Sequence, residues 1–196
     1  NPRKRVPQSI DTAGVLVVQK RSIATLSAAQ TFGGIAVAGS MPAGALLAAS
    51  LTDSEAFAGL AQTAGVLGAA IFALPLARIA LTKGRRPALA TGYGLGILGT
   101  IFVIGGAVSR QVGLVLIGSL FVGVASAASL QARYAATDLA LPEHRARSLS
   151  YVVWAATIGA VLGPNLLNFS GSVAMSLGLP QLSGAYVIAG ISLTLA

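Results

Sequence analysis

The 196-residue chain is 55% apolar and 9% charged, with a net charge of +8 and a mean hydropathy of +0.80. A soluble domain is charged at about a quarter of its residues, so this chain cannot cover a water-facing surface and reads as an integral membrane protein. Its basic residues form small groups between apolar runs with no interleaved aromatics, which excludes a nucleic-acid surface, and the absence of cysteine excludes disulfides and thiolate metal sites.

The basic amino end, Asn1 to Arg5, resembles the start of a secretory signal, but a signal's apolar core is only about 7 to 15 residues long. Here no charge occurs between Arg21 and Asp53. The run is therefore expected to be a span and not a cleaved leader, with residues 1–21 a cytoplasmic segment in which 6–21 form a short interfacial helix. There is no initiator Met and the chain stops inside an apolar run, so both ends are expected to be limits within a longer protein.

Uncharged intervals at 22–52, 56–77, 87–109 and 111–132 each hold the roughly 20 residues that cross the hydrocarbon. The interval 148–196 holds enough for two spans, with Gly171, Gly178 and Pro180 supplying the turn. The predicted fold is an all-α integral membrane bundle over residues 22–196, with six transmembrane helices near 23–50, 54–80, 87–108, 112–138, 147–168 and 182–196. Pro42 removes a backbone donor and is expected to kink the first.

Between the second and third spans lies Arg78 to Pro87, a turn holding Arg78, Lys83, Arg85 and Arg86. Gly84 suits a left-handed helix end and Pro87 the first turn of the next helix. Cations beside spans mark the cytoplasmic side. Alternating sides from a cytoplasmic amino terminus places twelve of the thirteen basic residues inside and only Arg110 outside. Asp53 and Glu55 fall outside, where acids suit the positive end of a helix dipole. The implied location is the plasma or inner membrane.

Small residues throughout the spans predict close helix packing. Gly94, Gly96 and Gly99 match G-x-G-x-x-G, but no strand precedes them, so packing is expected and not dinucleotide binding.

In the fourth span Ser119, Ser126, Ser129, Arg133 and Thr137 share one helical face. Such a stripe faces a neighbouring helix or a water-filled cavity, and Arg133 either neutralises Asp138, snorkels, or meets an anionic or dipolar group. In the fifth span Trp154, Thr157, Asn165 and Asn168 lie within about 80° of one another at about 100° per residue, opposite Gly159 and Gly163. The glycine face is expected to pack closely. The polar face is a cavity candidate, with Trp154 either stacking on a ligand or filling space. Gln30, Thr31, Gln62 and Thr63 are the remaining mid-span hydrogen-bonding groups, so the substrate-cavity candidates are Gln30, Gln62, Ser119, Ser126, Arg133, Trp154, Thr157 and Asn165. His144 is expected to be a solvated loop residue. With no Ser/His/Asp, paired-carboxylate or metal-ligand constellation, neither an enzyme nor a metal or cofactor site is expected.

Six spans, basic loops after the second and fourth, and Gly159-x-x-x-Gly163-Pro164 in the fifth together resemble the amino-terminal half of a major facilitator superfamily transporter. That family carries Gly-x-x-x-Asp-Arg-x-Gly-Arg-Arg after its second helix. Gly84, Arg85 and Arg86 match, while Ala77, Leu81 and Thr82 stand at the first glycine, the Asp and the Arg. The resemblance implies a gating or latch group of Arg78, Gly84, Arg85, Arg86, Asp138, Arg145 and Arg147, the last two from a loop similar to the family's Pro-Glu-x-x-Arg. Gly159, Gly163 and Pro164 resemble the antiporter signature of the family's exporters, whose last glycines are replaced by Leu167 and Asn168. On the fourth helix Ser119 and Val122 stand where exporters often have an Arg and a Gln, although Gly123 is kept.

The resemblance implies one half of a fold in which each half is an inverted pair of three-helix units and substrate binds between the halves near the midplane. The expected function is secondary transport, as proton-coupled export of small molecules by alternating access. The alternatives are an importer or facilitator, or a non-transporting scaffold or accessory subunit. The implied partners are membrane lipids, a small-molecule substrate, and either a missing carboxy-terminal half or a partner membrane subunit.

Overall fold

The computed structural model describes residues 12–138 and 145–196. The helices are α1 (Thr12–Thr52), α2 (Glu55–Thr82), α3 (Arg85–Ser109), α4 (Val112–Asp138), α5 (Arg145–Asn165), α6 (Leu167–Ser176) and α7 (Gly184–Leu195), the last entered through a 3-10 turn at Gln181–Ser183. Residues 139–144, which include His144 and the Pro142-Glu143 part of the expected loop, and residues 1–11 lie outside the described set.

The first four helices are joined by two-residue turns, each passing through a left-handed backbone position. These are Asp53 (φ 51°), Gly84 (φ 97°) and Arg110 (φ 55°). Gly84 takes its place at the lowest steric cost, as expected of it, and Pro87 falls in the first turn of α3. Arg110 does the same work without being glycine, its N–H returning to the Gly106 carbonyl. Turns this short force the helices to lie antiparallel side by side.

What then holds the bundle is small-residue contact. A methyl group placed on Gly99 would come within 2.6 Å of the Gly118 carbonyl, fixing α3 on α4. Gly65 and Gly123 meet backbone to backbone between α2 and α4. Gly159 faces Thr31 O, and Gly163 lies against Gly39 N and Ile35 O, joining α5 to α1. The interior is mostly alanine, including Ala36, Ala48, Ala88, Ala125 and Ala128, whereas Leu60, Val66, Leu67, Ile71 and Leu74 of α2 point outward. Large apolar side chains outside and small ones inside is the arrangement of helices packed in lipid. The G-x-G-x-x-G match lies wholly within α3, where Gly96 and Gly99 serve packing and Gly94 meets nothing.

Three boundaries differ from those expected. Residues 12–21 are not a separate interfacial helix, because α1 runs unbroken for 41 residues, or about 60 Å at 1.5 Å per residue. Gln19, buried, ties this extension to α4 by donating from Nε2 to the Ala136 carbonyl at 3.1 Å. The fifth rod does not stop at 168, since hydrogen bonding continues across its break through Leu166 N to Leu162 O and Ser170 N to Leu166 O. It carries on as α6 to Ser176. The turn therefore comes at Leu177 to Pro180, with Gly178 at φ 71°, and α6 and α7 meet at 117°. Five of the described helices are each long and apolar enough to cross a membrane. The chain is a multi-pass membrane protein.

The orientation is open to direct measurement. Thr82→Cys should resist an impermeant thiol reagent added outside the cell, whereas Ser54→Cys should react; Thr82 is exposed at the end of α2 and Ser54 is half-buried just before its start. The opposite labelling pattern would invert the topology.

Candidate functional site

The polar residues of α4 are sorted by its two flanking neighbours. On one side Gly65 and Gly68 bring α2 against Gly123 and Leu120. On the other, Gln30 of α1 donates from Nε2 to the Ser129 carbonyl at 3.1 Å and accepts from Ser129 Oγ at 2.6 Å. Ser119, Ser126 and Arg133 lie between these contacts, within about 40° of one another at about 100° per residue. They form one strip running along the seam between α1 and α2.

Ser119 and Ser126 line a cavity of about 20 Å³, together with Gln62, Val37, Met41, Val122 and the Tyr186 ring. That is room for roughly one water molecule. Ser126 Oγ is buried without a hydrogen-bond partner among the described residues, and Ser119 Oγ is buried beside the Tyr186 hydroxyl; an unmet hydroxyl in a low-dielectric interior is a cost that an occupant would relieve. Tyr186, 2% exposed, closes the wall and donates to the Ser40 carbonyl at 3.0 Å. Its role was not read from the sequence, where it is a single tyrosine in the last apolar run. A buried tyrosine hydroxyl needs a partner, and only the folded chain reveals that α1 supplies it.

Arg133 does not neutralise Asp138. Five residues on, Asp138 projects from another side of α4, where Arg85 takes it with two bonds: Nε to Oδ2 at 2.8 Å and Nη2 to Oδ1 at 3.3 Å. Arg85 Nη1 also donates to Gln131 Oε1 at 2.8 Å. This three-residue cluster clasps the start of α3 to the end of α4. Two members of the expected latch group thus meet, while Gln131 was not singled out. Its signal was its place seven residues, nearly two turns, before Asp138 on the same side of the helix. Arg78, Arg86, Arg145 and Arg147 are exposed at the same end of the bundle, Arg147 donating from Nε to the Tyr151 hydroxyl at 3.2 Å. Arg133 is left half-buried with its Nε sealed from solvent and without a hydrogen-bond partner among the described residues.

The remaining candidates divide. Gln30 is fully buried and both ends of its amide are committed to Ser129, so it locks α1 to α4 and does not line the cavity. Trp154, Thr157 and Asn165 all lie exposed on the outer side of α5, away from the serines. Thr157 and Asn165 bond to carbonyls of their own helix, those of Val153 and Val161. Gly159 and Gly163 face α1 across a seam that Thr31 also bridges, donating to the Ala155 carbonyl at 3.2 Å. Pro164 lies inside α5 directly after this contact. No group of three or more His, Cys, Asp or Glu that could hold a metal occurs among the described residues.

The sequence profile described as Major Facilitator Superfamily matches residues 20–196. Among curated proteins, the chain is 40% identical over 177 residues to the Bacillus subtilis protein named uncharacterized MFS-type transporter YdeG, covering 90% of this chain and 41% of that one. It is 38% identical over the same length to YddS of the same organism, again 90% of this chain and 41% of the relative. A more distant relative is the riboflavin transporter RfnT of Brucella anthropi, 28% identical over 148 residues, 76% of this chain and 37% of that protein. The chain thus spans about two fifths of the length of these relatives. An all-helical bundle with small-residue seams and a polar inner strip, matched from residue 20 to its last residue, places the chain in the major facilitator superfamily, a family of transporters and not of enzymes.

Proposed function

We propose that this chain is the amino-terminal unit of a secondary active transporter that exports small molecules by alternating access, with its amino terminus in the cytoplasm of a plasma or inner membrane. The observation that carries the reading is the inner strip of α4, where the Ser126 hydroxyl and the Arg133 Nε lie buried on one face without hydrogen-bond partners among the described residues, and the Ser119 hydroxyl lies with them beside Tyr186. Unsatisfied polar groups inside a membrane bundle are costly and mark substrate pathways. The cavity beside them holds no more than about one water, so binding a larger compound requires α1 or α2 to move away from α4. In alternating access the two six-helix units would in addition rock against each other around the site. The partner across the site is a second six-helix unit, from the same polypeptide or from another subunit, and the exposed polar face of α5 supplies part of the surface toward it.

Export is supported by the Gly159, Gly163 and Pro164 pattern, whose glycines lie in the α1–α5 seam. Coupling to protons needs a carboxylate. Within the described spans none occurs between the end acids Glu55 and Asp138 or after residue 145, so the coupling group is Asp138 or a residue of the second unit. The scaffold reading is motivated by Leu81 and Thr82, which stand where the family's Asp and Arg would be.

Full-length protein in inside-out vesicles decides between these readings, using compounds first selected by ligand-dependent thermal stabilisation. Export predicts accumulation driven by an inwardly acid vesicle lumen and collapsed by a protonophore. Accumulation that ignores the protonophore would remove proton coupling, and failure to move any stabilising compound in either vesicle orientation would favour the scaffold.

A further inference from the structure

We infer that the compound recognised along this strip is an amphipathic organic monoacid about 10 Å long, its carboxylate held by Arg133 and its apolar body by the serine-lined cleft. This inference rests on the transport reading above and adds the class of substrate to it.

The charge comes first. A guanidinium stays protonated at any physiological pH, so Arg133 cannot escape the cost of burial by losing its proton. Its Nε is sealed and has no hydrogen-bond partner among the described residues. The carboxylate nearest in sequence, Asp138, is already held by Arg85 through two oxygens. Asp53 and Glu55 stand at the opposite end of the bundle, at the α1–α2 turn. An anion that reaches Arg133 in a bidentate manner would satisfy Nε and one terminal nitrogen together, the geometry that a planar carboxylate offers. Arg133 is only half-buried, so a lipid phosphate reached by snorkelling is the competing anion, and the lipid composition of the test below separates the two.

The rest of the ligand follows from what shares the strip. Ser126 is seven residues from Arg133 on the same face, a distance of about 10 Å along the helix. Around Ser126 and Ser119 the walls are Val37, Met41 and Val122. Those surfaces favour an apolar skeleton with a hydroxyl, ether or carbonyl oxygen near its far end. A single guanidinium on the strip, with neutral neighbours, matches one negative charge and not two.

The experiment uses full-length protein in nanodiscs of phosphatidylcholine alone. It presents decanoate, 4-phenylbutyrate and 2-naphthoate, each beside the primary alcohol of the same skeleton. Binding is read from ligand-induced thermal shifts, and transport is read in parallel from vesicles. At least one acid should stabilise the wild-type protein at a concentration ten-fold or more below its alcohol. Arg133→Ala should erase that ten-fold preference while leaving the alcohol's weak binding in place, and Arg133→Lys should restore part of it. If Arg133→Ala fails to fold, Arg133→Gln serves for the same comparison, and the wild-type acid-to-alcohol ratio stands as a test by itself.

Equal binding of acids and alcohols, or no binding by any acid, overturns the inference while leaving transport of other compounds intact. Acid preference that survives Arg133→Gln overturns the assignment of the carboxylate to Arg133. If phosphatidylglycerol added to the nanodiscs stabilises the wild-type and not the Arg133→Gln protein, while no acid does, then a lipid phosphate is the anion and the substrate inference fails. Acids that bind with the expected preference but are never transported uphold the site and count against the transport reading instead.

Discussion

Gly163→Leu should lower the unfolding midpoint of the protein by about 5 to 10 °C and reduce the amount inserted as a monodisperse species. Overpacking a well-filled contact costs about 1 to 3 kcal/mol, and this position belongs at the upper end of that range. The first carbon of any side chain at Gly163 would lie 2.8 Å from both Gly39 N and Ile35 O, and backbone of α1 cannot rotate aside as a flexible side chain would. The helices must separate, and Gly159 one turn earlier, facing Thr31 O, would lose its contact as well. The control is the same kind of residue in a different place. Gly94 meets nothing within 4 Å, so Gly94→Ala should be neutral or stabilising by about 0.5 to 1 kcal/mol, through the better helix propensity of alanine. An unchanged midpoint for Gly163→Leu would mean that the α1–α5 seam is not a close contact in the membrane.

Reversing Asp138 to Arg is expected to reduce transport by ten-fold or more while leaving stability nearly unchanged. Arg85 and Asp138 are 30% and 43% exposed, so water screens the pair and its contribution to folding is only about 0.2 to 1 kcal/mol. Its effect on function is larger if the clasp between the start of α3 and the end of α4 must form and release in each cycle. Arg85→Asp should be as damaging as Asp138→Arg, and the double exchange should recover a substantial part of the rate, because the attraction is restored with its partners swapped. Gln131→Ala, which removes one of the three bonds made by Arg85, should have an intermediate effect. Transport is measured in vesicles at matched protein amounts, with unfolding midpoints determined on the same preparations. Additive losses in the double exchange would show that the two charges act separately.

Most helices were legible because each signal is local. An apolar interval long enough to cross a bilayer, ended by charges, forces the backbone to satisfy its own hydrogen bonds as a helix. The breaks at Asp53-Ser54, Lys83-Gly84 and Arg110-Gln111 fall within a few residues of those expected from charge and glycine placement. Where the boundaries moved, the local signal was weak or misleading. Lys20 and Arg21 mark the membrane edge without ending a helix, since a helix continues readily into water. Gly171 does not break α6 because its missing side chain is used against Gln181 in packing.

The candidate site was legible as a face and not as a set of partners. Periodicity placed Ser119, Ser126 and Arg133 on one strip, since seven residues make nearly two whole turns. It could not distribute their neighbours: Gln30 went to Ser129, Tyr186 arrived from α7 to close the cavity, and Asp138 went to Arg85 and not to Arg133. The polar face of α5 was found, but the short cavity beside α4 lies elsewhere, because the glycine face turned α5 toward α1 and its polar side outward. The sequence by itself therefore determined that the chain lives in a membrane, that it crosses several times, and which side of each helix is polar, because hydropathy, charge and helical period are properties of single segments. Which polar groups meet, and which stay unpaired, only the tertiary structure decided. Glycine contacts fix the rotation and separation of each helix pair, and those depend on residues from different helices, as between Gly65 and Gly123 or Gly39 and Gly163.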